Sequence, residues 1–137
     1  MRLFVDTSAW VAYYDRRDRY HEQANAAMFS LRNRPALLFT TDYVLDETLT
    51  LLLYHAGREA AVRFGEMVQR SRNTKLLRID AEAWDEAWQW FKKYDDKVWA
   101  FTDCTSFAMM KRLGLVQAFA FDHHFAQAGF QLWPGEV

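Results

Sequence analysis

Apolar positions along the chain switch between two rhythms, short unbroken runs and spacings of three or four, and the alternation predicts strands and helices in turn. Leu3, Phe4 and Val5 form a run with no polar alternation, the habit of a strand covered on both faces in a parallel sheet. Residues 8–14 read as a helix, and 21–32 as a second with Ala24, Ala27, Met28 and Leu31 on one side. Residues 36–40 are the next strand. Thr41 or Asp42 can cap a long helix carrying Val44, Leu45, Leu49, Leu52 and Leu53, which Gly57 ends. A further helix covers 59–70, a third strand 75–79, and a helix 81–94 in which Trp84, Trp88 and Phe91 share one face and are assigned to the core. Thr102 is placed as the N-cap of a helix reaching Leu113, with Gly114 as its stop; 118–121 is an apolar strand running into Asp122, and 130–133 a short edge strand. Strands separated by helices imply right-handed crossovers, hence an α/β fold: a three-layer α/β/α sandwich with a central parallel sheet of four or five strands.

Composition narrows this without changing it. The 137 residues are 51% hydrophobic and 26% charged, with no linker, repeat or low-complexity tract, so a single domain over 1–137 is expected. A net charge of -1 offers no bulk attraction to nucleic acid or to an anionic membrane, so such a partner has to be met by a local patch. The one cysteine, Cys104, closes no internal disulfide, and the four histidines have no zinc-finger spacing. The run at 3–5 is too short for a signal peptide, and the greasiest region, LTLLLYHA, is bounded by charges on both sides; no membrane association and a cytoplasmic location are expected.

Candidate chemistry lies where the apolar runs stop. Asp6 follows the first strand and Asp122 the fourth, and in an open parallel sheet ligands gather beyond the carboxyl ends of the strands. Asp103 falls in the first turn of a helix expected at the same edge, and Glu47 within the first two turns of another, its rotation left open by Leu45, Leu49 and Leu52. Asp103 alone could simply stabilise a helix dipole, and Asp6 could cap the helix after it, although Thr7 and Ser8 could do so as well. Two carboxylates at ~4 Å and an effective dielectric of ~20 repel by about 4 kcal/mol, so a cluster needs protons or a cation. All-oxygen donors suit Mg²⁺ or Mn²⁺ rather than zinc, and such ions support in-line phosphodiester displacement.

The segments LFVDTSAW, TTDYVLDETLTLLL, FTDCTSFAMMKRLGL and AFAFDHHFAQAGF, in this order across nearly the whole chain, resemble a PIN-domain ribonuclease, most closely the VapC-type toxins of toxin/antitoxin pairs. The resemblance implies a Mg²⁺-dependent endoribonuclease, with Mn²⁺ able to substitute, that uses metal-activated water on RNA. It also implies a homodimer and inhibition by a cognate antitoxin. Carried over, the family's acidic quartet falls on Asp6, Glu47, Asp103 and Asp122, with Asp6 and Asp103 as the firmest metal ligands and the other two completing the pocket directly or through water. Thr7 and Ser8 match small polar residues that orient the first aspartate or a water, and Asp96 is a candidate outer acid. Ala100 departs from the serine that many relatives carry there, which removes one hydrogen bond but none of the quartet.

For phosphate contacts the candidates are Arg16, Arg17 and Arg19, and a second group of Arg58, Arg63, Arg70, Arg72 and Lys75. His123 and His124 follow Asp122 closely enough to reach substrate or to pack, while Trp90, Tyr94 and Trp99 could stack on bases or serve a protein interface. Two other readings are a catalytically silent PIN-fold binding module and a phosphoacceptor signalling domain. The second lacks the acidic pair after the first strand and the lysine at the end of a late strand that such a domain uses.

Overall fold

The structure, a computed structural model, describes residues 1–135; the last two residues of the expected 1–137 domain lie outside the described residues. In chain order the elements are β1 (Arg2–Val5), α1 (Thr7–Tyr14), α2 (His21–Ser30), β2 (Leu37–Thr41), α3 (Asp42–His55), α4 (Arg58–Arg70), β3 (Thr74–Leu77), α5 (Ala81–Lys93), α6 (Phe101–Leu113), β4 (Gln117–Phe119), α7 (His124–Gln127) and β5 (Gln131–Trp133). The five strands are all parallel in the order β3-β2-β1-β4-β5. Leu3, Phe4 and Val5 are fully buried, as their unbroken run demands of a central strand.

The strand order sets the layers. From β1 the chain steps to β2 and then β3 in one direction, so right-handed crossovers put α1 to α4 on one face. The return from β3 to β4, on the other side of β1, puts α5, α6 and α7 on the opposite face. The direction reverses between β1 and β4, which makes the gap beyond their carboxyl ends the topological switch point of the sheet. One core cluster joins both faces, with Phe4, Trp10, Phe64, Phe107, Phe119 and Phe125 among its largest members.

Local chemistry explains most boundaries. The Thr41 hydroxyl accepts from the Val44 N–H at 3.0 Å and opens α3. Gly114 ends α6 at φ 69, a left-handed conformation that a residue with a Cβ adopts at a cost. The expected N-cap at Thr102 is corrected to Ala100: the Asp103 carboxylate reaches back to the Ala100 N–H at 3.0 Å, so the helix begins at Phe101. The core assignment of Trp84, Trp88 and Phe91 is also corrected, since these rings are 40%, 41% and 43% exposed. What α5 buries is Ala83 and Ala87, whose small side chains let α6 approach, together with part of Trp90 against Phe107.

Candidate active site

Asp6 leaves β1 as the cap of α1 and is only 3% exposed. Its backbone N–H donates to the Phe119 carbonyl at 3.0 Å, which stitches the ends of β1 and β4 together at the switch point. Its carboxylate accepts from the Ser8 N–H at 3.1 Å and from the Ser8 hydroxyl at 2.8 Å. The same Ser8 oxygen accepts from the Phe121 N–H at 3.0 Å, so one hydroxyl ties Asp6 to the segment that leads into Asp122. Thr7 is buried but its hydroxyl has no hydrogen-bond partner, so of the two residues expected to steer Asp6 only Ser8 bonds to it.

Asp103, 7% exposed, is held in the first turn of α6 by the Ala100 N–H. His124 faces it, with Nδ1 at 3.1 Å from Asp103 Oδ2 and 3.7 Å from Asp122 Oδ1. The backbone N–H of His124 donates to Asp122 Oδ1 at 3.0 Å, an Asx turn that fixes the carboxylate and the imidazole together. Sequence reasoning left this histidine between substrate contact and packing; the signal it had was a histidine two residues beyond a strand-end aspartate. The short helix α7, too brief to show a period, was not anticipated at all.

Electrostatics tie the acids to one another. Burial pushes the Asp6 carboxyl well above the ordinary aspartate range, and repulsion from Asp122 and Asp103 adds to the rise. Burial also lifts Asp103 to about 6, against the Ala100 N–H and His124, which favour the charged form; Asp122 and Glu47 push it further up. Glu47, half-buried in the second turn of α3, is near enough for its charge to act on Asp103, and no hydrogen bond fixes its carboxylate among the described residues. Asp96 is not drawn in: it is exposed and its carboxylate is held down by Lys97, 3.0 Å away. Cys104, beside Asp103, is fully buried and its thiol is pushed up to about 11, which removes it as a nucleophile.

Among the described residues, no three histidine, cysteine or acidic side chains close on a point tightly enough to hold an ion as they stand. The donor set nonetheless fits a hard divalent cation in kind. It consists of carboxylates, two of them, Asp6 and Asp103, buried and made costly to ionise by that burial and by neighbouring acids, and a cation reverses that cost.

The surface candidates are redistributed. Trp99, expected to reach bases, is 6% exposed and donates its indole N–H to Gln127; Trp90 is half-buried beneath Lys111, and Tyr94 packs on both tryptophans. Arg16, Arg17 and Arg63 line a common cleft with Asp15 and Glu59, which offset their charge, and Arg17 is spent on the His55 carbonyl at 2.6 Å. Arg70 pairs with Glu66, while Arg112 forms a two-pronged bridge to Asp80.

Comparison with known proteins matches the PIN domain family model to residues 3–131. The 23S rRNA-specific endonuclease VapC20 of Mycobacterium tuberculosis is 36% identical over 93% of this chain and 95% of its own length. A VapC ribonuclease of Archaeoglobus fulgidus is 28% identical over 92% of this chain and 80% of its own length. The crystal structure of VapC20, described as a sarcin-ricin loop cleaving toxin, superposes with a TM-score of 0.87 at 35% identity, covering 93% of this chain and 95% of that one. VapBC2 of Rickettsia felis, solved with a promoter DNA fragment, shares the fold with a TM-score of 0.71 at 9% identity over 96% of this chain and 97% of that one.

Proposed function

The chain belongs to the PIN-domain family, among its VapC-type members, and from that premise we propose that it is a divalent-cation-dependent endoribonuclease serving as the toxin of a toxin/antitoxin pair. The observation that carries the reading is the gathering of carboxylates at the sheet's switch point, where burial raises both Asp6 and Asp103, with Asp122 and Asp103 adding to the rise of Asp6, and Asp122 and Glu47 to that of Asp103. A cluster of this kind is costly in a domain that only packs, and it becomes useful when a cation is bound.

Asp6 and Asp103 would hold the ion, with Glu47 and Asp122 completing its surroundings directly or through water. When bound, Mg²⁺ or Mn²⁺ supplies charge neutralisation for a phosphodiester and acidifies a water enough for it to attack. The chain's own part is positional. Ser8 fixes the rotamer of Asp6, the Ala100 N–H fixes Asp103, and His124 bridges Asp103 and Asp122 from a place where its ring can donate to a phosphate oxygen. Thr7 and Asp96 have the weakest claims to a supporting role, as neither bonds to an acid of the group.

The relative that acts on 23S rRNA makes large-subunit ribosomal RNA, and its sarcin-ricin loop in particular, the first substrate to test. A cognate antitoxin, a two-copy assembly, a single-domain organisation and a cytoplasmic site of action complete the proposal; no helix among the described residues is long and apolar enough to cross a membrane. The test incubates purified protein with total RNA and with isolated ribosomes, with Mn²⁺, with Mg²⁺ and with a chelator. Discrete cation-dependent cuts that vanish in Asp6→Asn are expected. RNA left intact in every arm would return the chain to the silent binding module.

A further inference from the structure

Arg19, in the turn between α1 and α2, forms no ion pair among the described residues and stands over a stacked pair of rings beside the acidic group. Tyr20 and Phe121 lie face to face, with centroids 4.8 Å apart and planes 6° from parallel, and the Arg19 guanidinium is 4.9 Å from the centre of the Tyr20 ring. Phe121 takes one face of Tyr20, which leaves the guanidinium the other. Phe121 directly precedes Asp122, and two hydrogen bonds, of 3.0 and 2.8 Å through the Ser8 hydroxyl, separate its backbone from the Asp6 carboxylate. Both ends of the stack are anchored. Phe119 meets the Phe121 ring edge to face at 5.5 Å, while the turn before Tyr20 is tied by Asp15 accepting from the Arg17 N–H and Asp18 accepting from the Tyr20 N–H. His21 Nδ1 lies 2.8 Å from the Ala12 carbonyl and fixes the turn to α1.

We propose that Arg19, Tyr20 and Phe121 form a nucleobase subsite, in which an unpaired base of the RNA enters between the guanidinium and the Tyr20 ring, beside the phosphate to be cut; the proposal deepens the endoribonuclease reading above and rests on it. The layers differ in mobility, and that decides where a ligand goes. Tyr20 and Phe121 are half-buried and held, whereas Arg19 is exposed on a flexible stem. Lifting the guanidinium gives up one weak contact with the ring, and the same contact re-forms on the outer face of the base. Its charge then meets the RNA backbone, which the nearby carboxylates repel. An aliphatic side chain would gain nothing from the guanidinium, and an arginine from a protein partner would face a like charge there. A base inside a duplex has both faces covered by its neighbours, so the slot selects loops and bulges over paired RNA.

The test binds a hairpin with the sequence of the sarcin-ricin loop, carrying 2-aminopurine at each unpaired position in turn, to the full chain bearing Asp6→Asn so that the RNA survives with Mg²⁺ present. Quenching of the analogue at a loop position is expected, because the base stacks on Tyr20. Tyr20→Ala should abolish the quenching and weaken hairpin binding about tenfold, and Tyr20→Phe, which keeps the ring, should retain both. Arg19→Gln alters only an exposed side chain and should weaken binding about fivefold with partial loss of quenching. A fully paired duplex should be indifferent to all three variants. Quenching and affinity that persist in Tyr20→Ala and Arg19→Gln would overturn the subsite. Equal losses on hairpin and duplex would overturn it too, leaving Tyr20 as support for the turn. Cleavage of the unlabelled hairpin by wild type with Mg²⁺ is scored alongside. Cleavage without quenching overturns the subsite and leaves the endoribonuclease reading in place, quenching without cleavage overturns that reading and keeps the base site, and the absence of both overturns the two together.

Discussion

Asp6 works against the fold and for the proposed reaction, and that opposition makes it testable. Its carboxyl is buried and raised by burial, Asp122 and Asp103, so the ionised form is strained at neutral pH. An amide keeps the oxygen that accepts from Ser8 and removes the charge. Asp6→Asn is therefore expected to abolish RNA cleavage while raising stability by about 1 kcal/mol, read from urea unfolding in chelator. A variant that is inactive and less stable would contradict the electrostatic account. Asp103 carries a pH signature of the same origin. Its folded value of about 6 lies above the ordinary 3.8, so the native state holds the proton more tightly than the unfolded chain does. The resulting stability is complete below about pH 4 and is lost as pH rises through about 6, by an amount on the order of 3 kcal/mol. The difference in unfolding free energy between wild type and Asp103→Asn isolates this slope from other titrations. Added Mn²⁺ should flatten it, because a cation favours the ionised acids; a slope unchanged by Mn²⁺ would count against Asp103 as a ligand. Ser8→Ala removes the hydroxyl shared by Asp6 and the Phe121 N–H, at a cost of about 1 to 3 kcal/mol and with a loss of cleavage from a looser Asp6.

At the scale of elements, α5 shows where helical spacing informs and where it stops. The spacing of Trp84, Trp88 and Phe91 correctly puts them on one face, but a period cannot say which face the neighbouring helix will cover. The decision fell to Ala83 and Ala87, small enough for α6 to lie against them, and to Trp90, which fills the remaining gap beside Phe107. Ala87→Leu is expected to overpack this contact and cost about 1 to 3 kcal/mol, measured as a lowered melting temperature. The start of α6 was misread by two residues for a related reason. A threonine is a familiar cap, whereas Ala100 caps only because Asp103 reaches back to its N–H. Its end was legible because glycine has a special use there: Gly114→Ala, at φ 69, should destabilise by about 1 kcal/mol.

The whole molecule brings together acids that lie far apart in the chain, and the cellular prediction belongs at this scale. Expression of wild type alone should arrest growth, whereas Asp6→Asn, or co-expression of the product of an adjacent small gene, should relieve the arrest; arrest that persists with Asp6→Asn would separate toxicity from cleavage. Much of the architecture was readable in advance. Unbroken apolar runs identified the parallel strands, and the acid at the end of a central strand pointed to the switch point, because both follow from which residues tolerate burial on two sides. Asp6 and Asp122 were legible for that reason, and Asp103 from its place in the first turn of a helix that starts at the same edge. The sequence by itself determined the strands, the longer helices and the acids at the strand ends, since composition and period are local properties of the chain. Only the tertiary structure decided that His124 sits between two aspartates, that Ser8 rather than Thr7 holds Asp6, that Trp99 is buried and that Trp88 faces outward. These outcomes depend on the distances and rotations between elements, which packing sets and no local pattern records.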